Sequence, residues 1–167
     1  IYVSDGYRQN RVHRFTHDGD LVVSWGKGDL NYYDDEKWGS TAKQGTGPGE
    51  FHCPHGIVVD KDNKVYVMDR TNNRIQVFDD SGEYLSEWSI PGPNSAVIDD
   101  DNVMHSASGG QVYQSTLDGK NIGSWGERGD EAWQFSGGAH GIWIDSHGDV
   151  YVAQVGAKNA INKYARV

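Results

Sequence analysis

Val65-Tyr66-Val67-Met68-Asp69, then Asn73-Arg74-Ile75-Gln76-Val77-Phe78, Ser81-Gly82 and Leu85 to Trp88 follow one another through the middle of the chain. Short apolar and β-branched runs broken by Asp, Ser, Gly and Asn read as antiparallel strands joined by tight turns. The same order opens the chain, as Ile1-Tyr2-Val3-Ser4-Asp5, Asn10-Arg11-Val12-His13-Arg14-Phe15, Asp18-Gly19 and Leu21 to Trp25. A degraded copy runs from Asn102-Val103 through Gln111-Val112-Tyr113 and Asp118-Gly119 to Trp125. A further copy runs from Asp149-Val150-Tyr151-Val152 to Ile161-Asn162-Lys163-Tyr164. Self-similarity of this kind marks a repeat architecture.

Three of the copies are preceded by a strand that closes on Asp: Gly56-Ile57-Val58-Val59-Asp60, Ser95-Ala96-Val97-Ile98-Asp99 and Gly141-Ile142-Trp143-Ile144-Asp145. The units therefore hold three, four, four and three strands. A lone four-stranded meander leaves both faces half exposed, and stacking such units radially gives a propeller. The predicted fold is an all-β β-propeller segment over 1–167, with blades over about 1–26, 51–90, 94–126 and 138–167. The period is interrupted over 27–50, which reads as a long inter-blade loop. Loops on a rigid scaffold are where function concentrates.

Composition agrees. Twenty-two Gly, 6 Trp, 9 Tyr and 36% hydrophobic residues suit short strands and tight turns better than helices with wide apolar faces. Fifteen Lys and Arg against 24 Asp and Glu leave a formal charge of −9 with no segregated basic stripe, which excludes a phosphate-backbone footprint and so predicts no nucleic-acid partner. No apolar run approaches the length of a membrane span, and no signal-peptide pattern is present. The single cysteine, Cys53, has no internal partner, so burial and sheet hydrogen bonds must hold the fold. Opening on strand-like Ile1 rather than Met suggests a processed chain or a segment of a longer one.

Two histidines hold the same place in two repeats, His55 in Pro54-His55-Gly56-Ile57 and His140 in Ala139-His140-Gly141-Ile142. Both begin the first strand of a blade. First strands line a propeller's central channel, so equivalent positions are expected to converge on one axial point where imidazoles could share a metal. The alternative is that each His simply caps its strand through hydrogen bonds. The intervening repeat offers Asn94 there. His52 reads as loop surface, while His13, His17, His105 and His147 sit in alternating or turn positions with no partner pattern. A second constellation is Tyr7, after Ser4-Asp5-Gly6, and Arg70, after Met68-Asp69, each following the second strand of its blade. Tyrosine and arginine there could act as base and as carboxylate or oxyanion partner, or could merely shape the turn.

The pattern Asp-x-x-x-Asn-Arg-Ile-x-Val-Phe over Asp69 to Phe78, preceded by Pro54-His55-Gly56-Ile57-Val58-Val59-Asp60, resembles the NHL repeat family. That resemblance implies about four blades, incomplete at both ends, of a ring of about six, closed by further blades or by a second chain. The segments Ile1 to Tyr7, Asn10 to Val12, Gly49 to His55 and Val67 to Arg70 are similar, more specifically, to the peptidyl-α-hydroxyglycine α-amidating lyases. The resemblance implies a zinc-dependent cleavage of peptidyl-α-hydroxyglycine into peptide amide and glyoxylate. Tyr7 matches the catalytic tyrosine, Arg70 an active-site arginine, and His55 and His140 two of three zinc histidines. It also implies a structural calcium, although Gly141 stands where the family has the calcium's Asp, and a secreted or periplasmic setting. Arg8 stands where the family has a cysteine, and neither the third zinc histidine nor a second substrate arginine is found in the chain. Two other readings remain open: a non-catalytic NHL module binding a protein or small ligand, and a calcium-dependent lactonase-like hydrolase, with which Asn94 is compatible.

Overall fold

Every residue of Val65–Asp69 and of Arg74–Phe78 is buried, polar ones included, as expected of inner strands covered on both faces. The computed structural model describes residues 1–27, 44–157 and 160–166. Within them fourteen strands form four antiparallel sheets, each a simple up-and-down meander. The first sheet holds β1 (Tyr2–Asp5), β2 (Arg11–Phe15) and β3 (Leu21–Trp25), and the second β4 (Pro54–Val59), β5 (Val65–Asp69), β6 (Arg74–Phe78) and β7 (Tyr84–Ser89). The third holds β8 (Ser95–Ile98), β9 (Met104–Ser108), β10 (Gln111–Ser115) and β11 (Asn121–Trp125), and the fourth β12 (Ala139–Ile144), β13 (Val150–Gln154) and β14 (Ile161–Tyr164). A single turn of 3₁₀ helix, Arg70–Asn72, joins β5 to β6. The inter-blade loop expected over 27–50 lies mostly, at 28–43, outside the described residues.

The chain divides into two compact units, Ile1–Gly92 and Pro93–Val167, each holding two sheets. In the first, Val12, Trp25, Phe51, Val65, Val67 and Phe78 make a buried core, with Tyr2, Ile57 and Tyr84 packed against it. In the second, Ala107, Val112, Phe135, Ala139, Ile142 and Val152 do the same, with Trp125 and Tyr164 against them. The two cores are built alike. Trp25 and Trp125 close an outer strand, and Phe51 and Phe135, both fully buried, bring in the next sheet. Gly26 and Gly126 leave room for those phenylalanine rings, since a Cβ would meet Phe51 at 3.0 Å and Phe135 at 2.4 Å. An apolar face of this kind is what makes a two-sheet unit stable where one meander is not.

The aspartates that end the first strands organise the turns that follow. Asp60 Oδ1 accepts the Asp62 and Lys64 amides, Asp99 Oδ1 those of Asp101 and Val103, and Asp145 Oδ1 those of His147 and Asp149. Each second oxygen meets a side chain of the next strand: Tyr66 Oη at 2.9 Å, His105 Nε2 at 2.9 Å and Tyr151 Oη at 3.1 Å. These carboxylates thus build turns by Asx geometry. His105, which the sequence leaves without a partner, is a buried substitute for the tyrosine of the other blades. The imidazole preserves the hydrogen bond to the turn aspartate.

Candidate functional site

The positions of His55 and His140 begin with the chain that leads into β4 and β12. Cys53, Gly92 and Gly138 have φ of 60°, 42° and 82° respectively, and are followed by Pro54-His55, Pro93-Asn94 and Ala139-His140. A left-handed residue therefore turns the chain into the first strand of each of these blades. In β4, Pro54 pairs with Asp69 and Gly56 with Met68, so His55 is the extra residue of a bulge. In β12, Ala139 pairs with Gln154 and Gly141 with Ala153, so His140 is extra in the same way. The β8–β9 register, from Ser95–Ala107 to Ile98–Met104, runs without such a shift. Bulges re-aim a side chain out of the regular pleat, and here they distinguish the two histidines from Asn94. Asn94 instead donates from Nδ2 to the Ala139 carbonyl at 3.0 Å, a strut beside the strand that carries His140.

A buried polar node fixes the β4 lead-in from its own blade. The Asp69 carboxylate is fully buried; Oδ1 accepts the His52 amide at 2.8 Å, while Oδ2 accepts Arg74 Nε at 2.8 Å, Asn72 Nδ2 at 2.8 Å and Gln76 Nε2 at 3.1 Å. Arg74 spends its remaining donors on the carbonyls of Thr46, Gly47 and Glu50 and on Glu87. The Asn-Arg of the repeat is thus a clamp on the chain just before the first strand, with its buried charges paired as burial requires. Gln154 does the corresponding work in the fourth sheet, its Oε1 accepting the Gly137 amide at 3.1 Å. The Arg70 and Thr71 amides complete the lacing by donating to the Cys53 and His52 carbonyls.

The neighbouring blade supplies the tyrosine. Tyr7 lies in the turn between β1 and β2, and its ring stands edge-on to His55, with centroids 5.8 Å apart and planes at 72°. Arg70 Nη1 donates to Tyr7 Oη at 3.0 Å, and the guanidinium lies 5.4 Å from the tyrosine ring centroid. His55, Tyr7 and Arg70, drawn from two sheets of one unit, therefore form one cluster. Tyr7 remains 46% exposed, so the cluster is open to a ligand. His140 lies in the second unit. There the turn after β9 is only Gly109-Gly110, and the Arg128 side chain covers it; a Cβ on Gly138 would meet Arg128 Nη2 at 3.2 Å. Sequence reading passes over Arg128 because it lies outside the repeat.

Among the described residues, no group of three or more His, Cys, Asp or Glu side chains is placed to hold a metal ion. Cys53 is buried, and burial pushes its thiol up against the lowering influence of Arg70. Zinc asks for three or four ligands, so the described residues do not by themselves make a zinc site. Gly141 offers no side-chain oxygen to calcium. A cavity of about 360 Å³ in the second unit, lined by Asp99, His105, Gln114, Trp125, Tyr164 and Arg166, opens at the Ile144 end of β12, opposite His140. No described helix is long and apolar enough to cross a membrane.

Residues 51–78 match the NHL repeat family. NHL repeat-containing protein 3 of Homo sapiens is 32% identical over 181 residues, covering 98% of this chain and 46% of that protein. Peptidyl-glycine alpha-amidating monooxygenase of Mus musculus is 36% identical over 89 residues, covering 52% of this chain and 8% of that protein. The chain thus spans less than half the length of these curated relatives. Among solved structures, a streptogramin B lyase superposes with a TM-score of 0.60 at 13% identity, over 94% of this chain and 48% of that one. The hydrazine synthase of Kuenenia stuttgartiensis superposes with a TM-score of 0.63 at 12% identity, over 92% and 39%. At such identities the solved structures speak to fold alone. The four sheets are NHL-type β-propeller blades, and the chain is distantly related in sequence to the peptide α-amidating proteins.

Proposed function

We propose that this chain is part of a zinc-dependent lyase that cleaves a peptidyl-α-hydroxyglycine to a peptide amide and glyoxylate. The observation that carries the reading is the cluster itself: Arg70 bonded to Tyr7 at 3.0 Å and Tyr7 edge-on to His55 at 5.8 Å. Residues matched to that enzyme's tyrosine, arginine and one of its histidines lie together, although they come from different blades. Similarity to proteins named for α-amidation supports the same chemistry. In the proposed site His55 contributes one zinc ligand beside Tyr7 and Arg70, and His140, in the second unit, is the other residue matched to a zinc histidine. A secreted or periplasmic protein fits a peptide substrate of this kind.

The chemistry asked of this chain's own groups is limited. Tyr7 Oη takes the proton of the substrate α-hydroxyl. The oxygen's electron pair then forms the aldehyde of glyoxylate as the C–N bond breaks, and the departing nitrogen takes up a proton to become the primary amide. Arg70 holds Tyr7 Oη through one N–H and retains others to orient the glycine carboxylate.

The test is direct. Full-length protein incubated with a peptidyl-α-hydroxyglycine should release glyoxylate and peptide amide in equal amounts and should hold zinc. His55→Ala should lower the zinc content without unfolding. Zinc content and activity unaltered in that variant would reject the metal role, and a wild-type protein with neither zinc nor glyoxylate release would leave a non-catalytic NHL binding module.

A further inference from the structure

We infer that Asn10 is a positioning residue: it fixes the lead-in of the second sheet against the turn of the first, and thereby sets the Tyr7 ring on His55. Asn10 is fully buried in the left-handed conformation, φ 51°, at the end of the turn that carries Tyr7. Its Oδ1 accepts the Cys53 amide at 2.8 Å, two residues before His55. Two further features hold the same seam. Ser4 Oγ donates to the His55 carbonyl at 3.1 Å. Gly6, next to Tyr7, lies so close to the Pro54 backbone that a Cβ would come within 2.3 Å of its carbonyl oxygen. Asn10 is the one of these whose side chain reaches across the seam to a backbone amide.

A second copy of the device shows what it does. Asn73, φ 55°, ends the turn after β5, and its Oδ1 accepts the Gly92 amide at 2.9 Å. Gly92, like Cys53, is the left-handed residue two places before the position aligned with His55, in this case Asn94, which directly precedes β8. Asparagine suits the position twice over, because it tolerates the left-handed region and its side-chain carbonyl accepts the lead-in N–H, buried at Cys53 and exposed at Gly92. In the third sheet the left-handed residue of the corresponding turn is Gly109, φ 56°, and a backbone bond from the Ala139 amide to the Gly109 carbonyl takes over the link. A bond between such a turn and a strand lead-in thus recurs in the turns after β1, β5 and β9 while its chemistry varies. Only at Asn10 does it join the tyrosine to the histidine.

The inference rests on the proposed lyase reading for its effect on turnover, not for its geometry, and the experiment separates the two. In full-length protein with labelled histidine, the edge-on Tyr7 ring should displace the His55 ring-proton resonances, and Tyr7→Leu should abolish that displacement. Asn10→Gly keeps the left-handed backbone and removes the acceptor, and should lose most of the displacement. Asn10→Asp keeps the acceptor oxygen and should restore it, while Asn73→Gly, an equal change one blade on, should leave it intact. A folded Asn10→Gly protein with the wild-type His55 resonances overturns the inference, as does an equal loss in Asn73→Gly. Should Asn10→Gly not fold, the wild-type Cys53 amide decides: strong protection from hydrogen exchange supports the inference, and exchange at the rate of an unbonded surface amide overturns it. With a peptidyl-α-hydroxyglycine, Asn10→Gly should lower kcat about tenfold with KM unchanged, since misplacement of a reacting group acts on the chemical step. Absence of turnover in the wild type would sink the lyase reading and leave the resonance test standing.

Discussion

Arg70 Nη1 donates to Tyr7 Oη at 3.0 Å, so a turn of the second blade grips the tyrosine of the first. Removing either end tests what the pair is for. Tyr7→Phe keeps the ring against His55 and removes the oxygen; Arg70→Gln keeps length and polarity but removes the charge. Tyr7→Phe should lower glyoxylate release about 100-fold or more, the usual worth of a positioned proton-transfer group, and Arg70→Gln should lower it through loss of the charged carboxylate contact, each with an unchanged unfolding midpoint. Wild-type rates in Tyr7→Phe would remove the tyrosine from the chemistry.

Asp69 makes a prediction about stability alone. Asp69→Ala leaves Arg74, Asn72 and Gln76 facing an empty acceptor, and a buried guanidinium that loses its carboxylate costs about 3 kcal/mol or more. Urea unfolding of the full-length protein should show that loss, and a change under about 0.5 kcal/mol, ordinary for surface sites, would contradict the clamp.

Much of this was legible beforehand, and the reasons for the rest are physical. Blades could be read because Val-Tyr-Val runs and Trp closures recur wherever a covered strand needs the same burial, and the shared place of His55 and His140 was visible for the same reason. The bulge at each histidine was not, because a bulge is a property of pairing rather than of one strand. The role of His105 could have been found from spacing: it stands six residues after Asp99, as Tyr66 stands after Asp60 and Tyr151 after Asp145. Cys53 in a left-handed conformation was hidden, since only its alignment with Gly92 and Gly138 reveals it.

That alignment predicts the behaviour of Cys53. The thiol is 5% exposed and burial keeps it protonated, so an alkylating reagent should modify the native protein far more slowly than the urea-unfolded one. Cys53→Gly should fold with a stability within about 1 kcal/mol of wild type, because relief of left-handed strain offsets the lost packing. Rapid native alkylation would show that the lead-in opens.

Gly6→Ala should act on the site rather than on the core. Its Cβ would fall 2.3 Å from the Pro54 carbonyl oxygen, which forces the Tyr7 turn away from β4. Turnover should fall roughly tenfold or more through misplacement of Tyr7, with the cores of both units retained by near-ultraviolet circular dichroism. Full activity would show that the turn can shift without consequence.

Acid should loosen the turns. Burial alone would raise the Asp99 carboxyl, but hydrogen bonds from His105 and from the Val103 and Asp101 amides outweigh it and hold the group below its ordinary value. The Ser81 hydroxyl, with nearby amides, does the same for Asp79. With the folded value below the unfolded one, the unfolded chain binds more protons in that interval. The contribution is therefore full above the ordinary aspartate range and lost as pH falls through it toward the folded value. The thermal midpoint should drop between about pH 4 and pH 3, and Asp99→Asn should flatten part of that slope. An unchanged slope would remove Asp99 from the balance.

The left-handed lead-in has a consequence for how such a protein can change over generations. The imidazole of the second repeat is aimed by a cysteine and a proline just ahead of it and steadied by an asparagine of the repeat before. A gene that copied or dropped one repeat would therefore keep a foldable blade yet inherit half of the cluster of Tyr7, Arg70 and His55, so a change in that cluster has to be selected at the joint, where two repeats vary together.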